Sequence, residues 1–120
     1  MKIFGHPWIE SEAFYQIETI EAIAETASNS TLKIDHFNIE FMSYCDKNSL
    51  AYMVVVSSIK EAIFANLFHA KYMLASKQLA KELMPIAQNY LFDSLVIASI
   101  EGDEDIEEMA QFNIDGVFIT

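Results

Sequence analysis

The segment Leu50 to Ile59, LAYMVVVSSI, is apolar over most of its length and rich in valine, and it ends in Ser57-Ser58 where a helical pattern takes over. A strand that is apolar at every position is buried on both faces, so it belongs inside a parallel sheet with helices around it. Ser94 to Ile100 is a second strand of this kind, and Lys71 to Ala75 a shorter one. Thr31 to Phe37 alternates instead, with Leu32, Ile34 and His36 against Thr31, Lys33, Asp35 and Phe37, which predicts a strand with one less buried face. Lys2 to Ile9 reads as a first strand that Pro7 either ends at His6 or confines to an edge, because proline cannot donate to a ladder. Phe14 to Ile17 is a short extended piece, and Val117 to Thr120 is a last strand behind an Asp115-Gly116 turn.

Between these strands the apolar period changes to that of a helix. Thr19 is placed to cap a helix carrying Ile20, Ile23, Ala24 and Ala27, with Ser28-Asn29-Ser30 as a loop behind it. Asn38 caps Ile39 to Asp46, where Phe41, Met42 and Cys45 share a face. Ser58 and Glu61 fit a capping box, and the helix they open runs through Ala62, Ile63, Asn66 and Leu67 to about His69. Ser76 or Lys77 starts the longest helix, with Leu79, Leu83, Ile86 and Tyr90 on one stripe. Pro85 lies within it and is expected to kink or split it, since it lacks an N–H and crowds the carbonyl of Lys81. Asp103 caps a final helix with Ile106, Met109 and Ala110 inward.

Strands alternating with helices predict a single α/β domain over residues 1–120 with a mostly parallel sheet of five or six strands. Two architectures fit. The preferred one is a three-layer, doubly wound domain, flavodoxin- or Rossmann-like; the alternative is a half-barrel of βα units that needs a partner to close. From Val56 onward the order of strand, Ser-Ser, helix and short strand, ending in IDGVFIT, resembles the later βα units of phosphate-binding TIM barrels. A closed eight-unit barrel takes roughly 200 residues or more, so 120 cannot form one alone. In size and alternation the chain also resembles response-regulator receiver domains. Their acidic pair, phosphoacceptor Asp and Lys are replaced by His6-Pro7, Ser57 and Glu101, which argues against phosphoacceptor function.

Charge narrows the partners. Eighteen acids against seven bases give a net charge of −11. Such a chain repels phosphate backbones and anionic lipid, so neither nucleic acid nor a membrane surface is expected as a partner. The N-terminus lacks a signal-peptide core and no run is long enough to span a bilayer, so the cytoplasm is the expected compartment. A single cysteine, Cys45, excludes an internal disulfide and reads as a small apolar residue on a helix face.

Candidate chemistry follows from the rule that parallel sheets bind ligands beyond the carboxyl ends of their strands. That selects His6, Asp35, His36, Ser57, Ser58, Ser76 with Lys77, and Ser99 with Glu101. His6, Asp35 and His36 together have the chemistry of an acid–base or metal site. Neighbours on a strand point to opposite faces, however, so histidines bonded to nearby loops are preferred and no metal site is assigned. His69 reads as a helix C-terminal cap. Ser57 and Ser58 offer hydroxyls to an anion at a helix start, yet the capping box explains Ser58 equally well. The acidic run Glu101 to Glu108 lacks EF-hand spacing and reads as a solvated helix face. Glycine-rich phosphate loops and a GxSxG elbow are absent, and no cofactor or reaction is indicated. Trp8, Phe64 and Phe68 are surplus to the inward stripes and suggest an interface. The expectation is a protein-interaction, self-associating or regulatory module working through a protein partner or homo-oligomer. The alternative is a small-molecule, anion or metal-binding protein, or an enzyme, with its site at the strand ends.

Overall fold

The computed structural model describes residues 1–23 and 30–120. Seven strands, β1 (Lys2–Phe4), β2 (Phe14–Gln16), β3 (Thr31–Ile34), β4 (Tyr52–Val55), β5 (Tyr72–Ala75), β6 (Leu95–Ile100) and β7 (Gly116–Ile119), form one sheet. Every pairing is parallel and the order is β1-β7-β6-β5-β4-β3-β2. Read as a ring, that order is sequential and open at one place, between β1 and β2. Were the sheet flat, these two edges would lie roughly 29 Å apart at the usual strand spacing. Instead the ring centroids of Phe4 on β1 and Phe14 on β2 are 5.1 Å apart, so the sheet curls into a half-barrel.

The predicted α/β class and parallel sheet are therefore present, with seven strands rather than five or six, curled as the half-barrel alternative describes. Strand alternation divides the core in two. Outward residues such as Ile34, Tyr52, Val54, Met73, Val96 and Val117 pack against the helices. Inward residues Phe4, Met53, Tyr72, Leu74 and Ile97 pack on each other, with Phe14, Val55, Leu95 and Phe118 around them. The concave side is filled from within, by aromatic rings from β1, β2, β5 and β7 in edge-on and tilted contact. Met53, Tyr72 and Ile97 on that side are fully buried.

The helices are α1 (Ile20–Ile23), α2 (Ile39–Lys47), α3 (Ile59–Leu67), α4 (Lys77–Asn89) and α5 (Ile106–Gln111), the last preceded by a 3-10 turn at Asp103–Asp105. Thr19, Asn38 and Ser58 each accept a backbone N–H three residues on, as their positions predicted, and Ser76 does the same at the start of α4. Four helices also end alike. Ser49, His69, Leu91 and Asn113 take positive φ just past α2, α3, α4 and α5. The next N–H then reaches back five residues in each case: Leu50 to Cys45, Ala70 to Ala65, Phe92 to Ala87 and Ile114 to Met109, at 2.9–3.2 Å. This Schellman turn lets the chain leave the helix and drop into the next strand. It recurs at intervals of 20, 22 and 22 residues, a structural repeat without a sequence repeat.

Several boundaries differ from expectation. β1 stops at Phe4, because Gly5 takes φ +87° and a Cβ there would lie 2.6 Å from the carbonyl oxygen of Ile119. β1 is an edge strand, as Pro7 suggested. β3 ends at Ile34, so Asp35 and His36 lie past it and the alternation expected through Phe37 does not apply to them. α4 passes through Pro85 as one helix, with Pro85 on the exposed side and Leu83, Met84 and Ala87 buried beside it. Its inward face is Ala80, Leu83, Met84 and Ala87; Tyr90 is exposed. Ala110 likewise faces solvent while Met109 is buried. Gly116 begins β7 instead of forming a turn, where it lets β7 lie against Lys2 and Ile97. Ala24, Ala27 and most of the predicted Ser28-Asn29-Ser30 loop fall outside the described residues. Among the described residues no helix is long and apolar enough to cross a membrane.

Candidate functional site

The carboxyl ends of the seven strands form one rim, and the sequence-selected residues lie along it in four separate groups. At the β1 end, His6 Nε2 is 3.1 Å from Asp103 Oδ2, and its Nδ1 accepts the backbone N–H of Trp8 at 3.1 Å. Those partners favour the tautomer with the proton on Nε2, directed at the carboxylate. The Trp8 ring packs edge-on against the imidazole at 4.9 Å and is otherwise 86% exposed. Asp103, expected to cap α5, makes no cap bond and holds His6 instead.

The second group is at the ends of β2 and β3. Gln16 Nε2 donates to Asp35, and Lys33 Nζ lies 3.6 Å from the same carboxylate. His36 is exposed and makes no side-chain hydrogen bond among the described residues. His6 is thus engaged by Asp103, and Asp35 by Gln16 and Lys33. Among the described residues no three acidic, histidine or cysteine groups come together as metal ligands.

Ser57 and Ser58 follow β4 and serve the start of α3. Ser58 Oγ accepts the Glu61 N–H at 3.1 Å, while Glu61 Oε1 accepts the N–H of Ser57 at 2.8 Å. The box is displaced by one residue from its usual form, in which the glutamate would take the N–H of Ser58 itself. The backbone donors an anion would use at Ser57 and Glu61 are therefore already bonded.

The fourth group does converge on a cavity. At the ends of β5, β6 and β7, Ser76, Lys77, Ser99, Glu101, Asp105 and Thr120 line a space of about 470 Å³. Ser76 Oγ accepts the Leu79 N–H at 3.2 Å, capping α4. Lys77 Nζ pairs with Asp105 Oδ2 at 3.2 Å. The Thr120 hydroxyl and N–H both donate to the Ile100 carbonyl, at 3.3 and 2.9 Å. The side chains of Ser99 and Glu101 make no hydrogen bond among the described residues. Ser76 and Glu101 were marked by position alone, and the structure brings them to the same cavity.

At the opposite, amino end lies a polar cluster that the sequence reading missed. The carboxylate of Glu12, in the β1–β2 connection, accepts hydrogen bonds from the hydroxyls of Thr31 and Tyr72 and from Lys71 Nζ at 3.2 Å. Burial alone would raise the pKa of Glu12, but the three donors and the Lys71 charge outweigh it and hold the carboxyl below its ordinary value. Burial and the neighbouring Glu12 charge push the Tyr72 hydroxyl well up, so it stays a donor. A larger cavity, about 720 Å³, opens beside Cys45, Asp46, His69 and Lys71 at this end. Its His69 ring is 2.8 Å from Asp46, linking the end of α3 to that of α2, and burial raises the Cys45 thiol to about 11. Amino-end contacts of this kind hold the units of a parallel sheet together.

Neither any protein-family model nor any curated protein matches this chain.

Proposed function

We propose that the protein is a self-associating domain and that the outer face of α3 is where a second copy docks. The observation that carries this reading is the orientation of α3. Its buried residues are Ala62 and Ala65, whereas Ile59, Ile63, Phe64 and Leu67 are 37–62% exposed. A surface helix normally does the reverse. Ile39 at the start of α2 is also exposed, and a shallow cavity of about 580 Å³ separates it from Phe64 and Phe68.

A second copy is the occupant this surface suits on charge. The chain carries −11, so two copies repel over most of their surfaces, but this face holds one lysine, Lys60, against one glutamate, Glu61. A two-fold contact through α3 would bury the apolar stripe of both copies at once. The same net charge argues against nucleic acid as a partner. The cytoplasm remains the compartment this reading takes, supported by a lone buried Cys45.

Sedimentation of wild type and Leu67→Glu at about 10–200 µM tests the proposal. Wild type is expected to dimerise with rising concentration. Leu67 is 62% exposed, so the substitution spares the fold while placing two like charges in the contact, and it should yield monomer throughout. A wild type that stays monomeric to the top of that range overturns the proposal.

A second reading, a small-molecule site at the carboxyl edge, is favoured by one observation: Ser76, Lys77, Ser99 and Glu101 face a shared cavity at the strand ends.

A further inference from the structure

We propose that the cavity at the ends of β5, β6 and β7 binds a small organic ammonium compound; this rests on the carboxyl-edge reading above and names its ligand class. Charge gives the first argument. Lys77 is the one cation lining the cavity, against Glu101 and Asp105, and it is paired with Asp105 at 3.2 Å. That leaves one uncompensated negative charge, on Glu101. Asp103 and Glu104 follow immediately in the chain, so the local field attracts cations and repels anions.

Hydrogen-bonding capacity gives the second. The unengaged groups are the Glu101 carboxylate and the Ser99 hydroxyl. Ser76 Oγ accepts one N–H and the Ile100 carbonyl accepts the donors of Thr120. Among the described residues, the Glu101 carboxylate is the acceptor there that has neither a donor nor a cation beside it. An ammonium brings three donors and the missing charge together. A phosphate or carboxylate would bring further negative charge beside Glu101 and Asp105. A volume of about 470 Å³ lies in the size class of small-ligand sites.

The site differs from the acidic helix face in having walls. Glu107 and Glu108 lie on α5 outside the cavity lining, and Glu108 is paired with Lys81. Simple counterion attraction would affect that face as much as the cavity.

The test is amide NMR of the full chain titrated with ethanolamine and, separately, 1,4-diaminobutane, at constant ionic strength. The expected result is saturable shifts at Ser76, Lys77, Ser99, Glu101 and Thr120, at least tenfold weaker in Glu101→Gln. Glu101 is exposed, so that variant keeps its fold, which its unchanged remaining spectrum verifies. Inorganic phosphate is the opposing probe. If phosphate moves these amides and the amines do not, the ammonium class is overturned while the carboxyl-edge reading stands. If neither probe moves them, or the amines shift Glu104, Glu107 and Glu108 equally, both fall.

Discussion

Removing the Glu12 carboxylate should cost this domain a large share of its stability. Glu12 sits in the connection between the two edge strands, yet its partners are on β3 and at the start of β5. It therefore ties the β2 edge across the amino end of the half-barrel. In Glu12→Ala the hydroxyls of Thr31, 3% exposed, and Tyr72, fully buried, lose their acceptor. Each buried hydroxyl left unpaired costs about 1–3 kcal/mol. The Glu12 side chain is 28% exposed, which lets water replace part of the bonding and puts the total near the low end, at about 3 kcal/mol. For a chain of this size that is a fall in Tm of roughly 12 °C. Thermal unfolding followed by circular dichroism measures it, with Glu10→Ala as an exposed control expected to stay within about 0.5 kcal/mol of wild type. The pH dependence has a definite sign. The folded-state pKa of Glu12 is lowered from 4.5, so the unfolded chain binds its proton more readily. The contribution is complete above 4.5 and is lost as pH falls through the folded value, so the gap between wild type and variant should narrow there. A gap of under about 2 °C at pH 7, or one that widens in acid, refutes the reasoning.

One further substitution and one reaction follow from local geometry. Leu91 holds φ +55° just past α4 with its side chain 84% exposed, so Leu91→Gly relieves backbone strain without losing packing and should stabilise by about 0.5–1 kcal/mol, read as a higher urea midpoint; a lower midpoint would show that Leu91 makes contacts the free domain does not reveal. Cys45 is fully buried and its thiol is raised to about 11, so at pH 8 a disulfide reagent should react with it only at the rate of unfolding, and fast labelling of the native protein would contradict that burial.

How much of this was legible in the chain depended on whether the signal was local. The strands around Met53 and Ile97 announced themselves by unbroken apolar runs, and both residues are fully buried. The caps Asn38, Ser58 and Ser76 were legible because a cap needs only its own side chain and an N–H three residues on. The curl was legible only as one of two alternatives, since what decides it is Phe4, Phe14 and Phe118 in strands of three or four residues, too short to show a period. Glu12 was not either: Thr31 and Tyr72 are 19 and 60 residues away, and nothing near Glu12 marks it. At the rim, position behind a strand selected Ser76 and Glu101, but only strand order put them at one cavity and sent His6 to Asp103.

The reversal of α3 has a physical cause in the strand beneath it. By pattern, Ile63 and Leu67 should face the core, since large apolar residues at helical spacing normally define the inward stripe. Tyr52 on β4 faces the helices and is fully buried, and its hydroxyl donates to the carbonyl of Phe68, where α3 ends, at 2.8 Å. Burial pushes the Tyr52 pKa well up, with Cys45 and Asp46 adding to it, so the hydroxyl stays protonated to make that bond. A tyrosine lying under a helix fills the space that leucine and isoleucine would otherwise take. Ala62 and Ala65, the buried residues of α3, belong to the same core cluster as Tyr52 and are small enough for close packing. Once the alanines face inward, the helical period turns Ile59, Ile63 and Leu67 outward together. The apolar face proposed as the docking surface thus belongs to a helix whose end is tied to β4 through the Tyr52 hydroxyl.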